Sequence, residues 1–229
     1  MNPGGPFDLL IVALTTLRLA GLTTILLLLV ATPLAWWLAR SNAGWKEAVA
    51  AITALPLVLP PSVLGFYLLL ALAPTSPLMA LAAPFGVSGL AFTFPGLVVG
   101  SMVYSLPFAV QPIRNAFQAL GDDPWDSAAT LGAPPLAAFL RVIAPAARRG
   151  FLTAAVLVFA HTVGEFGVIL MIGGAIPGET EVLSVRMYRL VESLRFGEAH
   201  LIAAAMVAFA FAVLTCVFLL DRRAARDRD

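Results

Sequence analysis

The sequence predicts an all-α membrane protein: a bundle of five membrane-crossing helices, with a short helical segment held outside the bilayer between the third and the fourth. Three observations predict it. The 229-residue chain is 60% hydrophobic and only 12% charged, with a mean hydropathy of +0.94, whereas a water-soluble domain carries about 25% charged residues. Such a chain cannot cover a soluble surface. Its apolar runs are continuous rather than alternating, which is the pattern of helical spans and not of a β-barrel. Between the third and fourth runs, residues 122–145 read DDPWDSAATLGAPPLAAFLRVIAP, an acidic, Pro- and Gly-broken stretch of the kind that has a task or is disordered.

A helical span needs about 20 mostly apolar residues, and five segments qualify, at about 9–38, 48–73, 92–113, 151–173 and 201–220. The first closes with Trp36 and Trp37 and is longer than one span yet too short for two, so its early part is expected to be tilted or partly interfacial. The second contains LPLVLPPSVLG. Orientation follows from basic residues in short loops. Arg40 and Lys46 follow the first span, no charge follows the second, and Arg114, Arg141, Arg148 and Arg149 follow the third. The tail adds Arg222, Arg223, Arg226 and Arg228. These groups belong on one side, the cytoplasm, which places the N-terminus outside and the C-terminus inside. Residues 175–200 then lie outside, where EVLSVRMYRLVESL suits a short helix. The start, MNPGGPFDLL, has no basic n-region, so a cleavable signal peptide is not expected. No internal repeat or second domain is visible, and residues 1–229 read as a single transmembrane domain. One cysteine, Cys216, rules out an internal disulfide.

Within the cytoplasmic stretch, Asp123 before Pro124 is a helix start: the carboxylate can accept from orphan N–H groups and proline fits the first position. Asp126 places a second acid in the first turn, where the helix dipole favours it. Gly132 is a natural stop. A second helix begins at Pro134 and Pro135, with Leu136, Phe139, Leu140 and Ile143 spaced to form one apolar face. The small residues Ser127, Ala128 and Ala129 allow another protein's groove to approach closely. The pattern alone leaves a docking surface and an ordinary helical loop equally open.

The segment resembles the EAA loop of the permease subunits of binding-protein-dependent ABC importers, EAA-x3-G-x9-I-x-L-P. The matching positions are Asp126, Ser127 and Ala128, then Gly132, Val142, Ala144 and Pro145. The spacing fits throughout; Asp replaces Glu, Ser the first Ala, Val the Ile and Ala the Leu. LPLVLPPSVLG (55–65) and HTVGEFGVILMIGGAIPGET (161–180) further resemble the molybdate permeases of the sulfate/molybdate/tungstate branch. The resemblance implies an ABC importer permease fold whose cytoplasmic segment is a coupling helix in a cleft of an ATPase subunit. Asp123, Asp126, Ser127, Ala128, Gly132 and Pro145 would dock it. It also implies a second copy of this chain, two ATP-binding-cassette ATPase subunits holding ATP and magnesium, and an extracytoplasmic substrate-binding protein that delivers the oxyanion for alternating access. Membrane lipid surrounds the bundle and no nucleic acid is expected. Tungstate or sulfate is the alternative cargo.

Other residues carry readings of their own. Pro56, Pro60 and Pro61 must kink or unwind the second span, and non-helical backbone at membrane depth is tolerated only when buried in protein or lining a water-filled path. Pro60, Pro61, Gly164 and Glu165 are the expected pathway or gate residues. His161 and Glu165, four apart, could ligate a metal, but no third ligand is in sight. A carboxylate facing a dianion would repel it, so Glu165 is expected to be paired or turned away; Arg18, the only other deep charge, is the expected partner. Ala160 and Gly164 form a small-xxx-small surface for close packing, with Gly167 a further thin point. Gly173 and Gly174 suit a turn. The chain has no GxxxxGKS/T loop, so it cannot cradle ATP itself, and no catalytic residue is expected. An ion-driven secondary transporter and a metalloenzyme on His161 and Glu165 are the competing classes.

Overall fold

The computed structural model describes residues 6–226, with side chains described over 8–218, so the side chains of the basic tail (Arg222, Arg223, Arg226 and Arg228) and the first residues lie outside the described set. Helix α1 (Pro6–Arg40) is one continuous rod of 35 residues, about 50 Å at 1.5 Å per residue, against a hydrocarbon core of about 30 Å. Four of its five threonines, Thr15, Thr16, Thr24 and Thr32, donate to the carbonyls four residues back, which satisfies those hydroxyls without a partner helix, while the buried Thr23 hydroxyl has no hydrogen-bond partner.

The second apolar run is not one straight span. Helix α2 (Lys46–Ala54), a 3-10 turn (Leu55–Leu57) and α3 (Pro61–Leu72) are bent by 108° across the break. Two adjacent prolines withhold backbone donors there, and Pro61 instead starts α3, its fixed φ suiting the first helical position. A short helix α4 (Pro77–Ala82), capped by the Ser76 hydroxyl accepting from Met79 N–H, and a 3-10 turn (Ala83–Phe85) lead to α5 (Phe94–Leu120). The Thr93 hydroxyl caps α5 by accepting from the Gly96 N–H. Then come α6 (Asp123–Thr130), α7 (Pro135–Ala138), a π-helical turn (Phe139–Ile143), α8 (Ala144–Ala146) and α9 (Arg148–Gly164).

The fourth apolar run is also divided. Helix α9 stops at Gly164, Glu165 is extended, and α10 (Gly167–Gly173) begins after Phe166. Helix α11 (Leu183–Glu192) and the long α12 (Phe196–Arg226) complete the chain. Among the described residues, α1, α5 and α12 are long and apolar enough to cross a bilayer alone, and the number rises to five if two bent pairs each count as one span: Lys46–Leu57 with Pro61–Leu72, and Pro135–Ala146 with Arg148–Gly164, the latter bent by 72°. Continuous apolarity in the sequence does not report the two breaks, because hydropathy counts side chains and not backbone direction.

Helices α1, α5 and α9 form the centre. One core cluster joins Leu27, Leu38, Ala109, Ile113, Phe117, Ile143 and Val158; the other joins Leu19, Leu97, Val168, Ile169, Ile172, Val182 and Val185. The first lies toward α6, the second toward α11, so these two short helices occupy opposite ends of the bundle. Glycine permits the closest contact between α5 and α9: a Cβ on Gly150 would stand 2.8 Å from the Pro112 carbonyl oxygen and would collide with Ala116 Cβ. Helix α12 is almost unburied within the chain, exposing Leu201, Val207, Phe211, Leu214 and Phe218.

Candidate functional site

Helix α6 begins at Asp123, as expected, but the capping differs. Asp122 occupies the flanking position and Pro124 the second helical one, and no side chain caps the N–H groups. The Asp122 carboxylate is drawn away by Arg40, 2.9 Å distant. Asp123 and Asp126 remain in the first turn, exposed with Ser127, while Ala128 is buried against the chain itself. Gly132 ends the helix at φ 72°. Its N–H donates to the Ala129 carbonyl (2.9 Å) and that of Ala133 to Ala128 (3.1 Å), the paired bonds of a Schellman stop. Leu131 stands at this tip 87% exposed.

An aromatic cluster fixes α6 to the end of α1. Trp125 packs on Trp36 at 5.4 Å between ring centroids, and Trp36 meets Phe117 at 5.0 Å and Phe139 at 5.7 Å. The Arg40 guanidinium lies over both indoles, 4.9 Å from Trp36 and 5.5 Å from Trp125, a cation–π arrangement. The sequence alone marks Trp36 as part of the pair that closes the first span and does not join it to Trp125. The i, i+4 spacing of Trp36 and Arg40 was the available signal.

The expected apolar stripe after Pro135 divides. Phe139 and Ile143 turn inward, but Leu136 is 70% exposed and Leu140 is exposed as well. The π turn over Phe139–Ile143 adds a residue to the helical repeat and rotates the next turns of helix, so one face cannot carry all four. Pro145 lies exposed in α8.

At the other break, Leu57, Val58, Pro60 and Pro61 are exposed. Helix α3 lies tightly on α10: a Cβ on Gly167 would meet Pro61 Cβ at 2.8 Å, and one on Gly65 would meet Met171 Cβ at 2.8 Å. Gly167, rather than Gly164, is therefore the close-packing glycine. Gly164 is exposed, with open space where its Cβ would be.

Glu165 is 3% exposed, and neither carboxylate oxygen has a hydrogen-bond partner. It is turned toward Ser101, whose hydroxyl is likewise buried and unbonded. The expected contact with Arg18 does not form. The Arg18 guanidinium instead lies 5.6 Å over the ring of Phe94, the first residue of α5, because its long side chain reaches from α1 to that rim. Glu165 is turned inward and is not paired with Arg18. His161 takes other partners: Nδ1 is 2.9 Å from Ser105 Oγ, and the ring stacks on Phe108 at 4.3 Å. Among the described residues no three His, Cys, Asp or Glu side chains gather as a metal site.

The short helix expected around 181–194 is present as α11, and polar bonds hold its start to three other elements. The Leu183 N–H donates to Thr16 Oγ1 on α1 at 2.9 Å, Ser184 Oγ to the Glu165 carbonyl at 2.5 Å, and Thr180 Oγ1 to the Gly173 carbonyl at 2.6 Å. The buried Glu181 carboxylate accepts from Arg189 at 3.0 Å and Arg186 at 3.4 Å. The sequence alone suggests a short helix here and does not single out Glu181 as an anchor, since burial is not legible in a charge count.

A family profile described as "Binding-protein-dependent transport system inner membrane component" matches residues 31–226. The chain is 54% identical over 203 residues, covering 89% of itself and 90% of its counterpart, to the molybdenum transport system permease protein ModB of Azotobacter vinelandii. It is 34% identical to the protein of that name from Escherichia coli K12, over 69% of each chain. To the sulfate transport system permease protein CysT of Synechocystis it is 32% identical, over 86% of this chain and 69% of the other. In fold it resembles a chain of a bacterial ABC transporter involved in the import of the acidic polysaccharide alginate, with a TM-score of 0.69 and 19% identity, covering 96% of this chain and 79% of that one.

Proposed function

The chain belongs to the binding-protein-dependent transport system inner membrane component family, and from that membership we propose that it is the permease subunit of an ATP-driven molybdate importer. It is a multi-pass inner-membrane transport subunit and not an enzyme. The cargo assignment rests on one observation, the 54% identity to a molybdenum permease across nearly the whole of both chains, against 32% to a sulfate permease. Residues 1–229 act as a single permease domain, with the N-terminus outside and α6 and the C-terminus in the cytoplasm.

Two copies pair, and each offers α6 to an ATP-binding-cassette subunit that holds ATP and magnesium. The exposed face of Asp123, Asp126 and Ser127, ending at Leu131, enters the ATPase cleft; Gly132 and Pro145 shape the segment, and buried Ala128 ties it to the bundle. A helix held by aromatic packing to the end of α1 transmits a displacement rather than absorbing it, because close-packed interiors are stiff. ATP drives the coupling helices together and opens the path outward to an extracytoplasmic binding protein; hydrolysis reverses it. The exposed breaks at Pro60, Pro61 and Gly164 line the path, since irregular backbone needs protein or water around it, and Glu165 lies behind it.

The test is uptake into proteoliposomes containing this chain, the ATPase and the binding protein. Molybdate should accumulate only with ATP inside the compartment that holds the ATPase. Full uptake without the ATPase would establish the ion-driven class instead, and a preference for sulfate or tungstate in the same assay would reassign the cargo.

A further inference from the structure

Midway along the bundle, α5 and α9 bring together polar side chains that neither the coupling helix nor the breaks account for. His161 Nδ1 is 2.9 Å from Ser105 Oγ, which is 3.3 Å from Thr162 Oγ1. The imidazole is stacked on Phe108 and lies 4.7 Å from the Tyr104 ring. Ser105 and Thr162 are buried, whereas His161 and Tyr104 are partly exposed. Nδ1 is thus committed inside. Nε2 makes no hydrogen bond among the described residues and is not one of the buried unbonded atoms, so it reaches the chain's surface. Gly164, one turn on, opens the same side, and Gly167 carries it to the exposed Pro61.

Resting on the importer reading, we propose that His161 and Tyr104 form a contact site for the tetrahedral oxyanion inside the membrane path. Lipid is a poor neighbour for this face, which presents an imidazole nitrogen, a phenol and two backbone breaks at membrane depth. Water or a polar solute satisfies all of them. In the tautomer in which the Ser105 hydroxyl donates to Nδ1, Nε2 carries the ring's N–H outward. Imidazole N–H and phenol O–H then both donate, which suits a dianion that only accepts. A path needs such a site, attractive enough to admit the ion and weak enough to release it.

The experiment uses the assembled transporter in proteoliposomes with molybdate. For His161→Leu, molybdate moved per ATP hydrolysed should fall about tenfold, the weight of one hydrogen bond to a charged group, with partial recovery in His161→Gln. A merely structural role would lower both rates together and leave the ratio intact, which would overturn the site. Because the histidine variants could misfold, Gly164→Cys, made with Cys216→Ser, supplies a second measurement where a side chain has room. It should react with a charged, water-borne thiol reagent, more slowly when molybdate is being transported. No reaction in any nucleotide state would place the face against lipid or a partner copy and refute the proposal. Failure of the unmutated transporter to move molybdate would instead refute the importer reading.

Discussion

At the scale of single residues, two glycines three apart have opposite duties. Gly167 lies where a Cβ would press on Pro61 at 2.8 Å, and Gly164 where nothing stands within 4 Å. Overpacking a tight contact costs about 1–3 kcal/mol, so Gly167→Ala should lower the thermal unfolding temperature of the detergent-solubilised protein, while Gly164→Ala should leave it nearly unchanged. Equal shifts would mean that α3 does not rest on α10. Both glycines were visible in the sequence as thin points of one close-packing surface, and within the chain Gly167 makes the contact while Gly164 stands open. Which glycine meets a neighbour depends on where α9 ends, and that was not legible.

At the scale of elements, α6 is short, and eight residues do not hold a helix in water by themselves. Its permanence comes from Trp125 on Trp36, the Arg40 cation over both rings, and the turn at Gly132. Aromatic pairs contribute about 0.5–1.5 kcal/mol beyond area burial. Trp125→Ala should therefore weaken co-purification of the ATPase about tenfold without altering the amount of permease in the membrane. Undiminished capture of the ATPase would show that α6 docks without its anchor. The sequence displayed the start, the stop and the acids of α6, since these are local chemistry. It did not display the anchor, because 89 positions separate Trp36 from Trp125.

At the scale of the whole molecule, the two ends differ in kind. One carries α6 with its acids and exposed leucine; the other carries α11, held by Glu181 and by side-chain bonds to three elements. Cysteines placed at Ser127 and at Leu194, both exposed, should report the orientation in a Cys216→Ser background. A membrane-impermeant reagent applied to spheroplasts should label Leu194→Cys and spare Ser127→Cys. The reverse pattern would invert the topology and remove α6 from the ATPase. The apolar face of α12, nearly bare in a single chain, must meet lipid or another chain in the membrane.

The amino-acid sequence by itself determined the class of environment, the helical architecture and the place of the short helical segment around α6, because these follow from composition, run length and local capping. The tertiary structure alone decided that the fourth apolar run is split at Glu165, that Glu165 turns inward while Arg18 lies on Phe94, and that Glu181 anchors α11. Hydropathy sums the affinity of side chains for lipid and is blind to direction. Direction comes from contacts between residues far apart in the chain, and only the folded packing chooses among them.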